Sequence, residues 1–146
     1  MRDSVVWPTL ALLAAVTGIA GAGDVVKSPL PPSHPLTGSW VLVFPDPRCH
    51  EEYEFRDDGT RYATSGQQIL VSDFSVSEYS GGKGHPYLWV DKIVSSNGKA
   101  DCNGNDTPVG DVATNYIYME VGNHRLWLCK GPDPATAYAA FDRKSR

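Results

Sequence analysis

Between Gly38 and Phe141 the sequence lacks nearly every sign of α-helix, and that absence argues against an all-α fold. It also lacks any run of Lys or Arg interleaved with aromatic residues. With a formal net charge of −4, this argues against nucleic acid as a partner. The patterns G-x-x-x-x-G-K-[ST], G-x-S-x-G and H-E-x-x-H are all missing, so no common catalytic motif is present and no cofactor is called for. Catalytic triads assemble in space, so these gaps make an enzyme the less favoured reading without excluding one. Cysteine is scarce, at three residues.

What is present begins with an N-terminal export signal. Arg2 precedes an apolar segment from Leu10 to Ile19, and Ala20-Gly21-Ala22 has the small-x-small form that a signal peptidase accepts. A membrane span needs about 20 apolar residues, and Pro8 and the glycines leave this segment too short. Cleavage is expected after Ala22. No cysteine follows the apolar run to carry a lipid, so the product is expected to be secreted or periplasmic, with no membrane span. Arg2 and Asp3 cancel, so the mature chain keeps the charge of the whole. Its size is that of one domain with one hydrophobic core.

Residues 23–37 hold Pro29, Pro31, Pro32 and Pro35 without an apolar period, and are expected to form an extended, mobile lead-in. From residue 38 to 146 the pattern is that of a single all-β domain. Short stretches alternate apolar and polar residues between turn residues, as in an antiparallel up-and-down meander closed into a barrel of seven or eight strands. Trp40, Leu42 and Phe44 share one face of the first strand. Tyr53 and Phe55 alternate with Glu52, Glu54 and Arg56 in the second, and Asp57-Asp58-Gly59 makes its hairpin turn. Strands follow over 61–64, 68–77, 87–94, 112–121 and 125–130. The segment from Thr136 to Phe141 is either a closing eighth strand or a short helix.

The loop from Ser95 to Asp111 is long for a compact domain, and such loops are more often functional or disordered than idle. Asp101, Asn103, Asn105 and Asp106 alternate oxygen-bearing side chains as a calcium loop does. Yet Asp106 stands where an EF-hand needs Gly, and no Glu closes the loop, so a hydrogen-bonded Asx turn is expected instead. Asn105-Asp106-Thr107 also fits the glycosylation sequon.

Gly38-Ser39-Trp40, following the Pro-rich lead-in, resembles the G-x-W signature of the lipocalin and calycin superfamily. The resemblance implies that Trp40 closes the base of an up-and-down barrel. It also implies that a basic residue from near the C-terminus, Arg143 or Arg125, packs across the indole. A T-D-Y-like motif before the last strands is missing, and the body is short for an eight-stranded lipocalin.

Reversing direction at each strand puts Cys49, Cys102 and Cys129 at one end of the barrel. In an oxidising compartment two of them pair. Chain entropy gives about 3.6 kcal/mol for Cys102 with Cys129 and about 4.5 kcal/mol for Cys49 with Cys129, too close to choose. The expectation is Cys102 with Cys129, because the long loop needs a tether. Cys49 is then left over as an inert residue, an intermolecular link or, with His50 and Glu51, a nucleophile beside a base. Cys49, His50, Asp101, Cys102 and Cys129 include zinc-ligand types, but without C-x-x-C or H-x-x-x-H spacing, and no metal is expected.

If Tyr53 and Phe55 point inward, period two carries Glu51 to the same side, placing a carboxylate near the mouth above aromatic walls. Tyr62, Trp89, Tyr116, Tyr118 and Trp127 are further candidates for that lining. Aromatic bodies with polar tips suit a small apolar or amphipathic ligand, although the same rings also suit a packed core. The alternative is a protein-binding module, an inhibitor or an envelope accessory subunit, that presents the 95–111 loop to a protein partner from a solid barrel.

Overall fold

Eight antiparallel strands follow one another in chain order, and the eighth pairs with the first to close the barrel in the computed structural model, which describes residues 25–43 and 47–145. The strands are β1 Gly38–Leu42, β2 Glu51–Phe55, β3 Thr60–Ser65, β4 Gln68–Glu78, β5 Tyr87–Ser96, β6 Val112–Met119, β7 Arg125–Cys129 and β8 Ala137–Arg143. A single turn of 3₁₀ helix, Pro134–Thr136, precedes β8, with the Asp133 carboxylate accepting the Ala135 N–H at its start. The expected eighth element is therefore a strand. The expected signal peptide, its cleavage after Ala22, and Phe44 lie outside the described residues.

Most strands alternate between a face turned into the barrel and a face turned to solvent. On the inner face, Trp40, Phe55, Phe74, Ile117, Leu126 and Phe141 are essentially fully buried and form one core. They lie in the half of the barrel where β1, β3, β5 and β7 begin. Phe55 meets Phe74 and Trp89 edge-on, with ring centroids 5.3 Å apart in both cases.

That end is closed by the segment expected to be mobile. Leu30 and Leu36 are buried in the same core. The Ser28 N–H donates to the Phe74 carbonyl at 3.0 Å and the Leu30 N–H to the Asp57 carbonyl at 2.7 Å. The prolines keep residues 25–37 from joining the sheet, but two leucines among them supply enough apolar surface to dock the segment as a plug.

The opposite end carries the disulfide, which joins Cys49 to Cys102 with Cα atoms 5.7 Å apart. This corrects the expected pairing of Cys102 with Cys129. Cys129 is a free, buried thiol. The reason lies in the register: Leu128 points into the barrel, so Cys129 points out, beneath Tyr118, Trp127 and Pro134. Cys49 and Cys102 instead emerge from adjoining loops, both against Gly66 in the β3–β4 turn. Closing a loop of that length contributes about 4 kcal/mol by chain entropy. With Cys49 bonded, it is no free nucleophile, and neither it nor Cys102 is a thiolate ligand for zinc.

Candidate ligand cavity

The inner face changes character above the aromatic core. On β3 the inward positions are Arg61, Ala63 and Ser65; on β4 they are Gln68, Leu70 and Ser72; on β5 they are Trp89, Asp91 and Ile93. Small and polar side chains here leave a cavity of about 350 Å³, half open to solvent at the disulfide end. Natural ligand pockets run from about 300 to 1,000 Å³, so this one suits a small molecule.

Its floor is a buried ion pair. Arg61 donates from Nε to Asp91 Oδ1 at 3.1 Å and from Nη2 to Oδ2 at 2.6 Å, and the Ser72 hydroxyl donates to the same Oδ1 at 2.7 Å. Both charged residues are about 95% or more removed from solvent, with exposures of 5% and 2%. The guanidinium also lies 4.7 Å from the centre of the Tyr53 ring and 5.2 Å from that of Trp89. Burial opposes the charge on Arg61, but the Asp91 carboxylate outweighs it and holds the guanidinium pKa above its usual value.

The wall nearer the mouth holds Glu51. Its carboxylate accepts the Tyr53 hydroxyl at 2.7 Å and the Ser65 hydroxyl at 3.1 Å. Burial first, and the adjacent negative charge of Glu51 second, push the Tyr53 phenol above its ordinary pKa, so it stays a donor. Tyr53 in turn stacks on Phe141 at 4.6 Å. Tyr138 reaches the cavity because the strand slips by one residue between β7 and β8, and its hydroxyl donates to Asn115 Oδ1 at 2.7 Å. The Trp89 Nε1–H is buried with no hydrogen-bond partner among the described residues.

Of the residues expected to line a pocket, Glu51, Tyr53 and Trp89 meet at this cavity. Tyr62, Tyr116 and Trp127 do not. Tyr62 sits opposite Glu54 on the outer face, under the Arg56 guanidinium at 4.0 Å. Tyr116 packs edge-on against Tyr79, and Trp127 donates from Nε1 to Glu120 at 2.8 Å. Tyr118, also outside, donates its hydroxyl to the Pro132 carbonyl at 2.5 Å. Residues paired across antiparallel strands share a face, so Tyr62 follows Glu54 outward and Arg61 follows Phe55 inward.

Arg61 and Asp91 were missed as a pair, although a signal for both exists. Asp91 lies two residues beyond Trp89 on the same strand, and Arg61 lies opposite Phe55 across the Asp57-Asp58-Gly59 hairpin. At the mouth, the Asp101 carboxylate accepts the Asn103 and Asn105 N–H groups, each at 2.8 Å, forming the expected Asx turn. Gln68 reaches across to the carbonyls of Lys99 and Asn105, fastening the long loop to β4. No group of three His, Cys, Asp or Glu side chains among the described residues is placed to hold a metal ion. Comparison with protein-family models, with curated proteins and with solved structures finds no match to this chain.

Proposed function

We propose that this is an exported lipocalin-like barrel that binds a small amphipathic molecule in the cavity at its disulfide end. The observation that carries the reading is the division of the interior. One half is filled by aromatic and aliphatic side chains, while the other is left open and lined by polar and charged groups together with apolar wall from Leu70, Ile93 and Leu128. A barrel under selection for stability alone would fill both halves.

The lipocalin-like assignment is supported by the closed eight-stranded meander and by Arg143, whose guanidinium lies 4.2 Å above the Trp40 ring. Export is supported by the N-terminal apolar segment and by the Cys49–Cys102 disulfide, since such bonds persist in oxidising compartments.

The test is native mass spectrometry of the protein purified from its own host, compared with the Ala63→Phe variant. Ala63 is buried in the cavity wall, and a benzyl group there would occupy the space. The wild type should carry a small-molecule adduct that is released on denaturation, and the variant should fold without it. A wild-type protein free of adducts, whose tryptophan fluorescence is also unmoved by 1-octanol, would overturn the reading.

A second reading rests on exposed apolar side chains near the long loop. Ile69, Val94 and Val109 are 53%, 43% and 60% exposed, and single apolar residues need no explanation unless they form a patch. They suit a protein partner docking at the 95–111 loop. A partner that still binds the Ala63→Phe variant would favour that reading.

A further inference from the structure

The charge in the cavity wall is lopsided. Four carboxylates line it, those of Glu51, Asp91, Asp101 and Asp111, against one guanidinium, that of Arg61. Arg61 and Asp91 neutralise each other in a two-pronged pair at the floor. Glu51, Asp101 and Asp111 are the other acidic residues of the lining, with the Asp101 carboxylate engaged in its own Asx turn.

Asp101 is held by its own loop, whereas Glu51 is held by side chains of the cavity wall. Its two oxygens take hydrogen bonds from neutral hydroxyls, those of Tyr53 and Ser65, and it enters no ion pair among the described residues. A carboxylate oxygen has room for about two donors, so each keeps capacity for an incoming N–H. Leu70, Ile93 and Leu128 supply apolar wall beside it.

We infer that the cavity selects an organic cation, a protonated amine on a short apolar body, with the Glu51 carboxylate as its counter-ion. This inference rests on the small-molecule reading above and narrows it to one charge class. An anionic amphiphile such as a fatty acid meets the opposite situation. The charge of the guanidinium it would seek is already balanced by Asp91 in a buried pair, and the excess of acidic residues in the lining opposes its head group. A bare metal ion finds no converging set of ligands among the described residues. The phenol pKa values of Tyr53 and Tyr138 are raised first by burial; Glu51 raises both further, and Arg61 opposes it.

Three probes of equal chain length separate these terms: octylamine, 1-octanol and octanoate, titrated calorimetrically at neutral pH into the wild type and into Glu51→Gln. Octylamine should bind at least about tenfold more tightly than 1-octanol, equivalent to about 1.4 kcal/mol, and octanoate most weakly. In Glu51→Gln the ratio of octylamine to octanol affinity should fall to about one. Raising the salt concentration should narrow the same ratio in the wild type, because the mouth is open to solvent. Octanol binding with no preference for the amine, or a preference that Glu51→Gln leaves intact, overturns the cation assignment while the small-molecule reading stands. Failure of all three probes to bind overturns both.

Discussion

Gly38 and Arg143 occupy the same small space at the closed end of the barrel: a Cβ on Gly38 would lie 2.9 Å from Arg143 Nη1. Arg143 fills that space because it does several jobs at once. It covers the Trp40 ring, donates to the Thr37 carbonyl from Nη1 and the Asn123 carbonyl from Nε at 2.9 Å each, and also donates to Pro35. Trp40 itself donates to the Leu36 carbonyl at 2.8 Å. The glycine at the start of β1 therefore has a steric reason and a backbone one, since its φ of 126° disfavours any side chain. Gly38→Ala is expected to cost about 1–3 kcal/mol, read as a lower midpoint in urea with an unchanged slope. An unshifted midpoint would show that Arg143 withdraws at no cost.

The Arg61–Asp91 pair is expected to be fragile to half-removal and tolerant of whole removal. Asp91→Asn leaves a buried guanidinium without its counter-charge, at a cost of about 3–5 kcal/mol. Replacing both, as Arg61→Met with Asp91→Leu, should recover most of that loss, because the desolvation cost of two ions disappears together with their attraction. Thermal unfolding of the wild type and the two variants checks the order. A double variant no more stable than Asp91→Asn would mean that the pair contributes more than its own neutralisation.

Cys129 should be silent to thiol reagents in the folded protein. Burial pushes its thiol pKa up, and its side chain has no exposed surface. Ellman's reagent should count no thiol in the native protein, one after unfolding, and three after unfolding with reduction. Replacing Cys49 and Cys102 together with alanine should cost about 2–4 kcal/mol and leave the native count at zero. A native count of one would place Cys129 at the surface.

The strand order was legible because alternation is a local signal repeated along the chain; Thr136 to Phe141 suited either a closing strand or a short helix, and its pairing with β1 and β7 decides for the strand. Which rings face inward was not legible strand by strand. Tyr62 and Tyr116 look like lining because aromatic residues favour interiors, but cross-strand pairing puts them opposite Glu54 and Leu88 on the outer face. The phase of β3 is set by the hairpin register, which admits Arg61 to the interior at the expense of Tyr62. The cysteine pairing failed for a related reason. All three cysteines lie toward one end as expected, but proximity along the barrel axis does not say which way each points, and Cys129 points outward.

Acid should weaken the seam where β8 meets β1 and β2. Lys144, just past the end of β8, reaches over β1 to place its ammonium 3.0 Å from both carboxylate oxygens of Glu52 on β2. His50 Nε2 lies 3.2 Å from one of them. Burial acts to raise the Glu52 pKa, but the hydrogen bonds from Lys144 and His50 outweigh it and hold the carboxyl below the usual glutamate range. A depressed acid stabilises the fold above its unfolded pKa, and that contribution fades as the pH falls through the folded value. The contribution is therefore complete at neutral pH and declines below about pH 4.5. Both side chains are partly exposed, 22% for Glu52 and 54% for Lys144, so the pair contributes a few tenths to about 1 kcal/mol. Glu52→Gln and Lys144→Met should each lower stability by about that amount at pH 7 and converge on the wild type under acid conditions. Urea unfolding across the pH range measures the difference, and added salt should shrink it at pH 7. A gap that stays constant into acid would assign the loss to packing of the side chains rather than to their charge.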